Sequence, residues 1–300
     1  MVKYFNEKRL SLNLSKSKYM IINCKANDTK GDLNLNAGKF EYCTDYVYLG
    51  VMISDTGSIS NDIEHFIYSK RANITIKYNN FLRKNFLAPL SIKLQVLDTC
   101  LASSLLYGCE TWGKSSVNSL EIAYRIGLKR SLSIRETINN EIVYIESNRL
   151  PLKVRIMKKQ LKFWLKIQSY LSSNPDHPLN DLIEQGRILN LDYIQYYDNL
   201  KTDYETPLNS ENVLSAEYRA AYRTKISAKA YNDPESRLGT YLLINPQLKA
   251  PTLYKNQLEF ERVLLTRYRC GSHNLKIETG RLNIPKIPRE NRICSCNSGI

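Results

Sequence analysis

The apolar residues of this chain change their period once, just after Asp55-Thr56-Gly57, and that switch limits the possible folds more than any other feature. Before it, short apolar runs are broken by Asn, Asp and Gly: Leu12, Leu14, Tyr19, Ile21 and Ile22, then Leu33 and Leu35, then Tyr46 to Leu49 and Val51 to Ile53. Runs of this length between turn residues predict three or four short strands. After the switch, Ile63, Ile67, Ile74, Tyr78 and Phe81 fall within about 60° of arc when wound at 3.6 residues per turn. Ser60 or Asn61 suits the N-cap, Asp62 and Glu64 fall in the positive first turn, and Pro89 sets the far limit. One long helix is predicted there.

The helical period then persists. A second apolar helix is predicted from Leu90 to Tyr107, shorter ones near 116–132 and 138–147, and another opening at Pro151. In this last helix Leu152, Ile156, Phe163, Trp164, Ile167 and Leu171 form an apolar stripe. After a loop at Asn174 to Pro178, polar Tyr-rich helices are predicted near 179–200, 210–231 and 252–269. Twelve Gly and ten Pro are too few for an all-β chain, which turns every eight to twelve residues. The predicted class is therefore mainly α (α+β), and 300 residues suit roughly two domains of ordinary size. There is no internal repeat and no low-complexity tract.

Charge points to a partner. The chain has 43 Lys and Arg against 29 Asp and Glu, a net +14 with a pI near 9.3. Such an excess raises encounter rates with polyanions and supports non-specific binding to phosphate polymers. No window approaches the ~20 apolar residues of a membrane span, and Met1 to Leu10 carries charges where a secretory signal has an apolar run. The expected setting is intracellular, nuclear or cytoplasmic, with no membrane partner. The seven cysteines, at 24, 43, 100, 109, 270, 294 and 296, are odd in number and irregular in spacing. They read as reduced thiols, Cys100 and Cys109 as small core residues.

Basic residues are concentrated in two stretches without acids. Between His65 and Leu97 stand Lys70, Arg71, Lys77, Arg83, Lys84 and Lys93, and Lys70, Lys77 and Lys84 recur every seven residues in one row beside the apolar stripe. Between Arg149 and Ser169 stand Arg149, Lys153, Arg155, Lys158, Lys159, Lys162 and Lys166, and Arg155, Lys159, Lys162 and Lys166 share a face. A charge run is commonly a solvated helix face. A face of one sign, however, repels itself, whereas solubility is served by mixed signs, and this depletion of acids favours contact with phosphates. Tyr68, Tyr78 and Trp164 lie among the charges, either stacking on bases or belonging to the core or its edge.

Residues 10 to 22 read Leu-Ser-Leu-Asn-Leu-Ser-Lys-Ser-Lys-Tyr-Met-Ile-Ile, and residues 48 to 54 read Tyr-Leu-Gly-Val-Met-Ile-Ser. Then come Ser-Ile-Lys-Leu around Lys93 and Leu105-Leu-Tyr-Gly-Cys-Glu-Thr-Trp112. In this order and spacing the series resembles the reverse transcriptases of non-LTR (LINE-type) retrotransposons, from the end of the palm through the thumb and beyond. The resemblance implies a small antiparallel palm remnant at 1–55, a helical thumb at 56–148, a helical post-thumb region at 149–272, and the lead-in to a zinc knuckle at 273–300. It implies that Asn13 and Lys16, with Ser17 in place of the usual Thr, lie near the incoming nucleotide. By the same resemblance Tyr48, Leu49 and Gly50 are primer-grip positions, and the basic helices hold an RNA/DNA hybrid, duplex or RNA. Gly50 also reads simply as a bulge or turn residue.

That family's polymerases use two divalent metals held by palm aspartates, one strand bearing Tyr-x-Asp-Asp. No Asp-Asp pair occurs in this chain, so magnesium is expected only in an intact family enzyme, and no polymerase or endonuclease activity is expected from these residues alone. The family's knuckle starts Cys-x-x-Cys, whereas Cys294 and Cys296 are separated by one residue and Ile300 follows before any later His and Cys. Zinc is not expected. His65, His177 and His273 fit no nucleophile motif. The alternative reading is a non-catalytic helical module that binds acidic protein partners.

Overall fold

The computed structural model describes residues 8, 13–22, 31–35, 38–48, 51–57, 59–112, 117–203, 210–234, 236–252, 254, 257–280, 283, 285, 287–288 and 291–292; the side chains of 51, 59–70, 111–112, 210–215 and 276–277 fall outside that description. Among the described residues the protein is mainly helical, with small sheets confined to its first part. It divides into two compact units, Met1–Lys70 and Arg71–Ile300.

In the first unit, β1 (Lys18–Tyr19), β2 (Leu33–Leu35) and β3 (Gly38–Tyr42) form a sheet in the order β1-β3-β2. Strand β2 runs antiparallel to β3, with Leu33 opposite Phe40, the buried residue of this sheet. The β1–β3 pair is parallel rather than antiparallel, with Lys18 opposite Glu41 and an ion pair of 2.8 Å between them. Residues 20–37 supply the long connection that a parallel pair requires. Strands β4 (Asp45–Tyr48) and β5 (Val51–Ser54) pair antiparallel, Tyr48 opposite Val51. The chain then turns at Asp55-Thr56-Gly57 as its residues predict: Gly57 takes φ 65° and its N–H reaches the Ser54 carbonyl at 3.2 Å.

Helix α1 (Ile59–Lys84) is the long helix predicted after the period switch, and its part from Arg71 onward opens the second unit. Pro89 precedes α2 (Leu90–Val96), which runs through a π turn at Leu97–Ala102 into α3 (Ser103–Leu105). Leu97, Leu101 and Leu105 stay buried along this segment, so the widened turn keeps their spacing on the core. After α4 (Cys109–Trp112) come α5 (Asn118–Leu132) and α6 (Asn140–Ser147), ended by Ser133 at φ 60° and Asn148 at φ 51°. Helix α7 (Leu152–Ser172) begins directly after Pro151.

Four expectations need correction. The helix predicted near 179–200 is two, α8 (Pro178–Ile188) and α9 (Asp192–Asp203), split where Asn190 adopts φ 51°, a conformation that Asn tolerates better than most residues. Beyond α10 (Ser210–Asn232), the unpredicted α11 (Arg237–Ile244) is started by Ser236, whose hydroxyl accepts from Gly239 N–H at 3.1 Å. Helix α12 (Glu259–Arg269) starts later than predicted, and α13 (Lys276–Thr279) follows. Cys109 is buried, with its thiol pushed up to about 12 by burial, but Cys100 is exposed and is not a core residue.

Candidate nucleic-acid interface

Helix α7 carries the most continuous cationic surface, and its residue spacing explains why. At 100° per residue, Arg155, Lys158, Lys159, Lys162 and Lys166 occupy about 100° of arc, and the row from Arg155 to Lys166 runs about 16 Å along the axis. The opposite side buries Leu152, Val154, Ile156, Leu161, Trp164 and Leu171. Trp164 stacks on Tyr197 with ring centroids 5.0 Å apart, packed with Leu171 and Ile183. Tyr78 is buried too, its hydroxyl 2.6 Å from Ser131 Oγ and pushed up to about 12 by burial. Both rings belong to the core and are unavailable for stacking on bases. Tyr68 lies outside the described side chains.

The cationic row borders a groove of about 360 Å³, lined by Arg155, Lys158, Lys159 and Lys162 on one side and by Asp98, Ser103 and Leu106 on the other. Two carboxylates temper it. Asp98 pairs with Arg149 at 2.7 Å and Arg155 at 2.9 Å, and Glu110 pairs with Lys159 at 3.2 Å. One aspartate between two guanidiniums leaves a cationic charge over, and Arg155 also lies 5.8 Å from the Tyr124 ring centroid. Lys162 and Lys166 are exposed and make no ion pair among the described residues. The groove therefore fixes the inner cations and leaves the outer ones free for a mobile anion.

The cations on α1 and α2 separate. Lys77, Arg83 and Lys84 are exposed and Arg71 is half-buried, while Lys70 falls outside the described side chains. Lys93 turns inward. Its Nζ donates to the Phe86 carbonyl at 2.7 Å and pairs with Glu259 at 2.5 Å, with 4% of the side chain exposed. Glu259 also accepts from buried Arg262 at 2.6 and 2.9 Å, which makes an enclosed cation–carboxylate–cation triad. A lysine so placed cannot contact a phosphate, so Lys93 leaves the set of surface cations.

Arg83 instead shares a cleft of about 1150 Å³ with Arg130, Arg135 and Arg267, drawn from α1, α5, the loop after it and α12. Sequence spacing gave no hint of this grouping, because its members lie far apart in the chain. In the first unit, Asn13 is engaged locally: its side-chain oxygen accepts from Ser15 Oγ at 2.7 Å and Lys16 N–H at 3.2 Å. Lys16 and Tyr48 are exposed, and Leu49 and Gly50 lie outside the described residues, as do Cys294 and Cys296.

Among the described residues no group of three or more His, Cys, Asp or Glu side chains is placed to hold a metal ion, and no helix is long and apolar enough to cross a membrane. The buried carboxylates are tied into the fold: Glu146 accepts from Tyr241 and Tyr254 hydroxyls at 2.7 and 2.6 Å and from Arg269, and Glu121 accepts from the Tyr144 hydroxyl and from Lys153 N–H at 3.2 Å. What the surface offers chemically is anion binding. No family model matches the chain, and neither a curated protein nor a solved structure matches it.

Proposed function

We propose that this chain binds nucleic acid along the cationic face of α7 and the exposed cations of α1, as the gripping part of a reverse transcriptase of the non-LTR type, and that it does not polymerise on its own. The observation that carries the reading is the α7 face: a single row of cations, its helix free of acidic residues and its outer lysines unpaired among the described residues. A helix shaped only for solubility would mix signs, whereas a row of ~16 Å suits successive phosphates of a duplex. The ordered motifs around Asn13, Lys16, Tyr48 and residues 105–112 support the choice of family. The absence of an Asp-Asp pair supports binding without nucleotidyl transfer.

The test is a salt titration of affinity for an RNA/DNA hybrid, measured by fluorescence anisotropy. The expected plot of log K against log salt is linear, with a negative slope of about 0.9 per phosphate neutralised on B-form DNA and of similar size on a hybrid. Lys162→Glu combined with Lys166→Glu is expected to reduce the slope by about two contacts and weaken binding at least tenfold. Affinity unchanged by the double reversal would remove α7 from the interface. A flat salt response together with tight binding to an acidic protein would favour the interaction-module reading.

A further inference from the structure

The geometry points to a second binding site, the cleft between α1, α5 and α12, and to a single-stranded segment of nucleic acid as its occupant. The inference builds on the reading of the chain as a nucleic-acid binder and adds a place where the strand is unpaired. Four arginines line the cleft, Arg83, Arg130, Arg135 and Arg267, with His273 beside them and no carboxylate among the lining residues. Arg130 pairs with Glu136, which lies outside the lining, at 3.0 Å. Arg267 donates to the Ser133 carbonyl at 2.9 Å, and Arg135 to the His273 carbonyl at 3.0 Å and Asn274 Oδ1 at 2.7 Å. Neutral acceptors therefore orient Arg135 and Arg267 and leave their charge uncancelled. Arg83 makes no ion pair among the described residues, and Nη1 of Arg135 is enclosed without a hydrogen-bond partner there.

Charge alone would suit any phosphate, but the aromatic residues narrow the choice. Phe86, in the turn after α1, and Tyr268, on α12, line the same cleft and are 66% and 53% exposed. Tyr268 stacks on His273, centroids 5.5 Å apart and planes 27° from parallel, which holds the ring in place. Leu264 and Leu275 add exposed apolar surface to the lining. Exposed rings held beside uncancelled arginines are the arrangement that bases and phosphates of a single strand require: rings for the bases, planar guanidinium forks for the backbone. A cleft of about 1150 Å³ has room for a few unpaired nucleotides but not for a duplex, whose bases are already stacked on one another. Duplex contact stays with the open α7 face.

The experiment compares the full chain with Phe86→Ala/Tyr268→Ala, using a labelled oligouridylate of about eight nucleotides and an RNA/DNA hybrid of about 16 base pairs as separate probes. The double variant is expected to bind the oligouridylate at least tenfold more weakly and the hybrid within about twofold of the parent. Phe86→Trp and Tyr268→Phe, which keep a ring, are expected to bind both probes like the parent. Because both rings are more than half exposed, their removal leaves the core intact, and an unchanged thermal unfolding curve checks this. Unchanged oligouridylate binding in the double alanine variant overturns the cleft assignment while intact hybrid binding leaves the α7 reading standing. Loss of hybrid binding in the parent chain, by contrast, strikes at the α7 reading itself. Photo-crosslinking of a 4-thiouridine-labelled strand is expected to mark Phe86, Tyr268 or their neighbours; adducts confined to α7 would also overturn the cleft.

Discussion

Lys93 and Lys162 show how far a residue's role depends on partners remote in sequence. Both stand in stretches without acids, yet one is buried against Glu259, 166 positions away, and the other is exposed. Period and composition placed each on the correct helix, but only the packing of α12 tells the buried cation from the free one. Glu146 is the clearest case for a buried charge. With its side chain fully buried, it pairs with Arg269 at 2.8 Å and receives two tyrosine hydroxyls. Glu146→Ala is expected to cost about 3 kcal/mol in denaturant unfolding, because it leaves a mostly buried guanidinium unpaired. Glu141 makes a pH prediction. Burial pushes its carboxyl up, but the hydrogen bond and charge of Lys225, with Lys229 nearby, hold it below the ordinary 4.5. A carboxyl whose folded value is the lower one stabilises the fold above its unfolded value, and that stability is lost as pH falls through the folded value. Parent and Glu141→Gln are therefore expected to differ most above pH 4.5 and to converge below it, as followed by urea unfolding at a series of pH values.

At the scale of elements, the helices that carry the proposed interface were legible because strong apolar periods and proline starts mark them. Helix α7 illustrates this: Pro151 opens it, and its apolar stripe becomes its buried side. Weaker periods misled. The split at Asn190 and the short α11 depend on one left-handed residue and one serine cap, signals that polar sequence around them obscures. The parallel β1–β3 pair was equally hidden, since two-residue strands carry no period that fixes their direction. Trp164 anchors α7 on α9 through Tyr197, whose hydroxyl also donates to the Glu110 carbonyl. Trp164→Ala is expected to cost about 3 to 5 kcal/mol by opening a cavity there, with Trp164→Phe costing less. Since the ring lies behind the cationic row, the alanine variant is also expected to weaken hybrid binding at temperatures where α7 loosens, measurable by repeating the anisotropy titration on warming.

For the whole molecule, the excess of positive charge was visible from composition, but its division into an α7 face and an arginine cleft was not. The cleft gathers residues 83, 130, 135 and 267, a grouping that only the tertiary fold creates. With magnesium and a primed template, the chain is expected to extend no primer; labelled product on a sequencing gel would show that carboxylates elsewhere substitute for the missing Asp-Asp pair. The triad of Lys93, Glu259 and Arg262 has a consequence for biosynthesis. A nascent chain that has left the ribosome only as far as residue 258 holds the Lys93 ammonium without its carboxylate counter-charge. Closure of the pocket around Lys93 is therefore expected only after α12 has emerged and packed, late in synthesis.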